Sequence, residues 1–559
     1  MEIIRQKLQS AVRDLYSLEA SPDITPAPGN ISADYSSNIA LKLAKELHKA
    51  PMDIAGEIAS YLTADNNMSF QNSPEPLLVN VSSPGFLNIT VPAAFLTSQI
   101  SSLAADFTGN ISSSEYSGQT IICEFSDPNP FKVLHVGHLY TSIVGDAISR
   151  LFAYAGAKVI RANFGGDVGL HVAKTLYILQ QRDTHDFTIE DIAECYVEGT
   201  AAYDDDAQAH IAITELNKEI YRINSDNLHD SPLAELYWRG RELSYDYFKH
   251  FYADIGVHFD KYYPESSVTA LGLATIKEQL AQGVYELSDG AVIFDGDKYS
   301  LHTRVFINKE GIPTYETKDV GLIFTKWQDY HFDKSVVITG NEQLDYMKVV
   351  LKSVEQYAPE LVARTTHLTH GLVKLPGNVK MSSRKGNFLK AVDVLNMVQS
   401  ELQSAYSSSD TVVALAATKY AFLRYKMGGN IVFDPKDSVK MTGNSGPYLL
   451  YSAVRAKKIL QKCSTTQPAA AEVYDSHEKP LAKKLLEYKS VLQDAVAEMA
   501  PHKVANYLYE LAQEFSRFYE HCPVAGSARE GFRAQLVRVY LATITHGLDI
   551  LGISIPEEM

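Results

Sequence analysis

An apolar run, TIICEF at 120–125, is followed by a helical pattern and then by a second apolar run, KVIRANF at 158–164. Between the runs Leu139, Ile143, Ala147 and Leu151 recur at helical spacing until Gly156 stops the helix. A strand, a helix and a strand form the right-handed unit of a parallel sheet, and such sheets bind ligands beyond the carboxyl ends of their strands. On that edge stands HVGH, residues 135–138. A helix N-terminus offers unpaired backbone N–H groups and the positive end of the macrodipole, so it attracts an anion. Gly137 would let a nucleotide approach closely, and His135 and His138 share a face of the first turn, where both could donate hydrogen bonds to phosphate oxygens as charge develops. The plain alternative is a chance pairing in a chain with 17 histidines. A zinc site needs three or four ligands that the neighbourhood does not supply, so no protein-held metal is expected.

At 559 residues and 45% apolar the chain can bury large cores and should divide into several domains. No run reaches the roughly 18 apolar residues of a membrane helix. The N-terminal MEIIRQKLQSAVRDLYSLEA reads as an amphipathic helix rather than a signal peptide. Cys123, Cys195, Cys463 and Cys522 lie far apart without a CxxC, which argues against a disulfide framework. A cytoplasmic enzyme is expected. The net charge of −16 looks wrong for a nucleic-acid partner, since Lys and Arg dominate such affinity. Position resolves the conflict: residues 183–260 hold 18 acidic and 5 basic side chains, a net of −13. By contrast 361–392 carries Arg364, Lys374, Lys380, Arg384, Lys385 and Lys390 with no acid, and 438–471 carries Lys440, Arg455, Lys457, Lys458 and Lys462 with none. Both are candidate anion-facing surfaces or ordinary solvated faces.

The texture predicts a multidomain α/β chain: a small α+β domain at 1–112, a Rossmann-like parallel-sheet domain at 113–390 interrupted by an acidic helical insertion at about 183–260, and an all-α bundle at 391–559. Farther along the sheet domain lies VKMSSRKGN, 379–387, a Gly- and Ser-bearing loop rich in cations. Lys380 and Lys385 can each meet a pyrophosphate, with Met381 between them and Ser382 and Ser383 donating from hydroxyl or backbone. A mobile basic loop is the alternative.

HVGH followed by KMSSR on one split α/β domain resembles the two signatures of class I aminoacyl-tRNA synthetases. CEFSDPNPFKVLHVGHLYTS (123–142), GIPTYETKDVG (311–321), GNEQLDY (340–346) and NSGPYLLYSAVRAKKI (444–459) resemble the arginyl-tRNA synthetases in particular. SADYSSNIALKLAK (32–45), SSPGFLNI (82–89) and the closing LGISIPEEM extend the similarity over nearly the whole chain. The resemblance implies ATP-dependent activation of L-arginine and its transfer to the 2′-hydroxyl of the last nucleotide of tRNA-Arg, by a monomeric enzyme using Mg²⁺ with ATP. It implies that His135, Gly137, His138, Lys380, Met381, Ser382, Ser383 and Lys385 bind ATP. Tyr315 and Asp319 would hold the guanidinium, while Glu124, Asn129 and Gln343 position the α-amino and carboxylate ends. For tRNA it points to Asn88, Tyr448, Arg455 and Lys458.

The chemistry agrees: a guanidinium keeps its charge, so a selective pocket needs fixed carboxylates and planar acceptors. Tyr315 and Asp319, four apart, share a helical face. The plain alternatives are a surface carboxylate paired with Lys318 or Lys326 for Asp319 and a structural role for Glu124. The chain departs from the family pattern in Ser383, with Lys385 two places later, in His171 and the residue after Asp167, and in Tyr346 where a histidine is frequent. A nucleotidyltransferase, an inactive tRNA-binding paralogue and a dinucleotide oxidoreductase are the rivals. The first usually lacks the long helical tail, and the last would need a GxGxxG after a strand.

Overall fold

The computed structural model describes residues 2–28, 31, 33–63, 78–182, 186–377, 389–464 and 473–559. At the N-terminus β1 (Ile24–Pro26), β2 (Tyr35–Ser37), β3 (Leu78–Ser82) and β4 (Phe86–Thr90) form an antiparallel sheet in the order β1-β2-β4-β3. The helices Glu2–Tyr16, Ile39–Leu47 and Pro51–Thr63 cover it, and Leu8, Ile54, Ile58, Leu87 and Ile89 make its core.

The central sheet runs from β5 (Thr120–Glu124) through β6 (Lys158–Gly165) to β7 (Lys261–Pro264). After the helix Glu265–Ala281 the chain makes a small antiparallel sheet, β8 (Glu286–Ser288), β9 (Ala291–Phe294) and β10 (Arg304–Ile307). The helix Tyr315–Tyr330 then returns it to β11 (Lys334–Gly340) and β12 (Thr365–His370). The strand order is β12-β11-β5-β6-β7, all parallel. Such a sheet is covered on both faces, so its strands read as apolar runs. Ile121 and Cys123 pack with the helix Val136–Tyr154, whereas Ile122 packs on the other face with Val268 and Leu322. The two-residue period therefore turns Glu124 towards the helix Tyr315–Tyr330. Because β6 and β11 flank β5 on opposite sides, the crevice beyond β5 and β11 is the switch point of the sheet.

The acidic insertion is helical, as its composition predicted: Ile189–Asp205, Ala207–Ser225 and Pro232–Asp254 pack with Leu170–Arg182 around Leu176, Ile192, Ile213 and Tyr237. Asp167 is buried and accepts from Arg241 Nε (2.9 Å), Ser266 N (3.0 Å) and Ser266 Oγ (2.7 Å). His171, also buried, sets Nε2 at 2.7 Å from the Gly166 carbonyl oxygen. Asp167 thus ties Arg241 of the insertion to the chain just beyond β7.

Among the described residues from Ala391 to Ile550 seven longer helices follow, ending with Pro501–His521 and Glu530–Ile550. One apolar core joins them to the helix Val136–Tyr154, running from Ile121 through Tyr140 and Ala417 to Leu508, Leu548 and Ile553. At the seam Asp146 binds Arg150 (2.7 Å) and Arg161 (3.3 Å), Arg150 reaches Asp549 (3.2 Å), and Lys419 donates to the Gly552 carbonyl (2.6 Å). No described helix is long and apolar enough to cross a membrane.

Candidate active site

Between β5 and the helix Val136–Tyr154 the chain makes a tight loop in which Ser126 (φ 74°), Asp127 (φ 48°) and Phe131 (φ 65°) all adopt the left-handed region. Such backbone persists only where its surroundings over-determine it, and it clusters at functional sites. Here the restraints are visible. Ser126 Oγ meets Tyr252 Oη at 2.8 Å; Asp127 Oδ1 accepts from Phe164 N at 2.8 Å; Asn129 Oδ1 accepts from Gly166 N at 2.9 Å. Phe131 donates its N–H to Ser244 Oγ (2.9 Å) and stacks its buried ring on Tyr237.

The loop delivers HVGH to the switch point. His135 is the N-cap: its Nδ1 accepts from Gly137 N (3.1 Å), and His138 Nδ1 accepts from His135 N (3.1 Å). The two rings stack 3.8 Å apart. Burial pulls His135 down to about 4 and His138 well below the usual imidazole range, so both are neutral. A neutral imidazole that accepts at Nδ1 carries its proton on Nε2. The cap therefore fixes two Nε2–H tautomers. A β-carbon at 137 would lie 2.8 Å from the His135 ring, so the glycine leaves room for the histidine cap, where the sequence suggested room for nucleotide.

A cavity of about 1200 Å³ opens here. It is lined by His135, Gly137, His138, Thr141 and His370, and also by Tyr315, Asp319, Gln343, Asn129 and Glu124. His370 Nδ1 faces the Gly371 carbonyl at 2.9 Å and thus holds a proton, while its Nε2 lies 2.7 Å from Thr141 Oγ1, a hydroxyl that donates to the Gly137 carbonyl (2.7 Å). Leu389 pins the chain beside the histidines: its carbonyl accepts from Val136 N (2.9 Å), while Ala391 N donates to Leu134 O (2.9 Å). Lys380, Met381, Ser382, Ser383 and Lys385 lie outside the described residues; Lys374 and Leu389, on either side of that segment, both line the cavity.

Asp319 is not a surface carboxylate. Lys318 binds the buried Glu265 (2.6 Å) and Lys326 binds Glu124 (2.7 Å), so neither pairs with Asp319. Asp319 instead accepts a hydrogen bond from the Tyr346 hydroxyl. Burial, with Glu124, Glu265 and Glu316 adding like charge, pushes its carboxyl up to about 8 against the pull of that bond. Tyr346, which also lines the cavity, thus holds one of its acids. Glu124 also lines the cavity, and its Oε2 accepts from Lys326 (2.7 Å), which in turn reaches Ser335 Oγ at 3.0 Å.

Asn88 is 3% exposed in the N-terminal sheet, with Oδ1 accepting from Ser36 Oγ (3.1 Å) and Nδ2 donating to Ser82 Oγ (2.8 Å). Tyr448 is half-buried, its hydroxyl 3.1 Å from Ser516 Oγ. Arg455 and Lys458 line a second cavity of about 370 Å³ with Tyr451, Lys462, Tyr519 and Met559. The Arg455 guanidinium lies over the Tyr451 and Tyr519 rings, 4.5 and 4.9 Å from their centroids. Sequence reasoning missed Tyr519, Asp127, Glu265, Arg304 and His370. Only Asp127, an acid beside the histidine loop, carried a local signal.

A parallel sheet with a histidine-capped helix at its switch point defines a Rossmann-like class of fold and site. Residues 100–416 match the family model described as tRNA synthetases class I (R), catalytic domain; 2–91 match the arginyl tRNA synthetase N terminal domain and 449–559 the DALR anticodon binding domain. The arginine–tRNA ligase of Bdellovibrio bacteriovorus is 30% identical over 471 residues, 80% of each chain, and that of Flavobacterium psychrophilum 28% identical, covering 91% of this chain and 90% of its own. Among solved structures, the arginyl-tRNA synthetase of Thermus thermophilus shares the fold over 100% of both chains, with a TM-score of 0.82 at 22% identity. The chain belongs to the arginyl family of class I tRNA synthetases.

Proposed function

We propose that the chain ligates L-arginine to tRNA-Arg. The arginine carboxylate attacks the α-phosphorus of ATP, which enters with Mg²⁺ on its phosphates, and pyrophosphate leaves to give arginyl-adenylate. The 2′-hydroxyl of the terminal adenosine then attacks the acyl carbon and AMP departs. Neither step needs a protein nucleophile, because adenylation rests on positioning and charge stabilisation. His135 and His138 steady the phosphates through Nε2–H; Lys380 and Lys385 meet the leaving pyrophosphate, with Met381, Ser382 and Ser383 completing the loop. Asp319 and Tyr315 take the guanidinium, and Asn129 and Gln343 face the α-carbon substituents. Glu124, which lines the same cavity and holds Lys326 by one oxygen, faces those substituents as well.

One observation carries this reading: a single cavity is lined both by neutral imidazole donors and by carboxylates. The test is exchange of labelled pyrophosphate into ATP with arginine, with and without tRNA. Arginine-dependent exchange is expected; no exchange with any amino acid, even with tRNA present, overturns it.

At pH 7 the Asp319 carboxyl, raised to about 8, is largely protonated before substrate binds. A guanidinium favours the carboxylate, so binding expels a proton. Arginine affinity should climb as pH rises from 6 to 8, by up to about tenfold per unit, then level off. Calorimetry in buffers of different ionisation enthalpy reads the release directly, and a proton count of zero at pH 7 contradicts it.

We assign tRNA contact to the helical region, with Arg455, Lys458, Tyr451 and Tyr519 offering a cationic and aromatic platform on which bases stack. Tyr448 supports that wall. Affinity for tRNA should fall steeply from 50 to 200 mM salt, by about a thousandfold for six phosphate contacts. A flat salt profile in filter binding removes the basic face from the interface. The division at 112 and 390, a monomeric state and a cytoplasmic location belong to the same proposal.

A further inference from the structure

Six carboxylates line the main cavity: Glu124, Asp127, Glu265, Glu316, Asp319 and Glu342. Three have a cation of their own. Glu124 holds Lys326, Glu265 holds Lys318 and Glu316 holds Arg304 at 3.4 Å. Glu342 is exposed at the rim. Two remain inside with no cationic side chain bound to them among the described residues, Asp319 and Asp127. A substrate with two positive centres, an α-ammonium and a guanidinium, matches two unneutralised acids in one cavity.

Their positions say which acid meets which centre. The α-ammonium shares its carbon with the carboxylate that must reach the α-phosphorus of ATP, so its counter-ion has to stand on the histidine side. Asp127 is on the loop that ends in His135, whereas Asp319 is on the helix Tyr315–Tyr330, hydrogen-bonded to Tyr346. Asp127 Oδ1 is held by Phe164 N–H, and its backbone is bent into the left-handed region to put it there. Glu124, the acid which the family resemblance assigned to this end, is already neutralised.

We propose that Asp127 is the counter-ion of the substrate α-ammonium and so selects for an α-amino acid over other guanidinium compounds. This rests on the arginine-activating reading above. Burial and the nearby Glu124 raise its carboxyl in the absence of substrate, as expected of an acid waiting for a cation.

The test compares arginine with 5-guanidinopentanoate, which lacks only the α-amino group, on the full chain and on Asp127→Asn. Asparagine tolerates the left-handed backbone and keeps an oxygen for Phe164 N–H, so the loop is preserved. Asp127→Asn is expected to raise the arginine KM in pyrophosphate exchange about tenfold or more, while the inhibition constant of 5-guanidinopentanoate and the ATP KM change less than twofold. Equal losses for both guanidinium compounds, or an unchanged arginine KM, overturn the proposal. If the variant does not turn over, equilibrium binding of the two compounds gives the same comparison. A loss of ATP binding as well moves the comparison to Asp127→Ser, read against the same two outcomes. Failure of the arginine reading itself would be seen apart, as exchange by the unaltered chain that ignores arginine.

Discussion

Asp319→Ala is expected to raise the arginine KM by about a hundredfold or more while leaving tRNA affinity within about twofold. Removing one partner of a buried charge pair costs roughly 3 to 5 kcal/mol, and each 1.4 kcal/mol is about tenfold in affinity. The site concentrates that loss in one residue, because Lys318 and Lys326, which could have reorganised around a substitute, are committed to Glu265 and Glu124. Asp319→Asn separates binding from folding. The folded carboxyl titrates near 8, far above an ordinary aspartate, so the unfolded chain ionises first and the native state loses stability as pH rises between about 4 and 8. An asparagine has no such loss. The Asn variant should therefore lose arginine yet melt, without ligand at pH 7.5, no lower than the parent. An unchanged arginine KM would remove Asp319 from the pocket; a sharp drop in melting temperature would give it a structural role instead.

His138→Ala should slow arginine activation by about a hundredfold or more, an effect on kcat with little on arginine KM. Deleting one preorganised donor to developing charge costs on the order of 3 kcal/mol. The His138 ring also caps the helix, which costs about 1 kcal/mol of stability when lost, so thermal melting should accompany the kinetics. Because both imidazoles are already neutral, the parent kcat at saturating substrate should not track histidine protonation between pH 6 and 8. A kcat within threefold of the parent would show that His138 only caps.

The sequence made the central unit readable because each of its parts is local: β5, the helix at Val136 and β6 are fixed by apolar periodicity over some forty residues. The acidic helical insertion and the helical C-terminal region were legible for the same reason. The hairpin between β8 and β9 was passed over although Asp289 and Gly290, both at positive φ, spell its turn. Pairings across long separations were not legible. Nothing near Glu124 announces that Lys326, some two hundred residues on, will neutralise it, and that pairing changes the role of both residues. Nor does anything near Tyr346 announce that the fold sets its hydroxyl on Asp319. The pairing of Asn88 with Ser36, some fifty residues earlier, is of the same kind.

The apolar core that runs unbroken from Ile121 to Ile553 has a consequence for how this chain can be cut. The catalytic helix buries Tyr140 and Ile143 in the same cluster as Ala417 and Leu508 of the helical region. A fragment ending near residue 390 would carry that face bare, as an exposed patch of the kind that drives aggregation. The borders that separate the tasks of this chain are thus not the borders of its folding units: the histidines and the tRNA-binding helices stand or melt together.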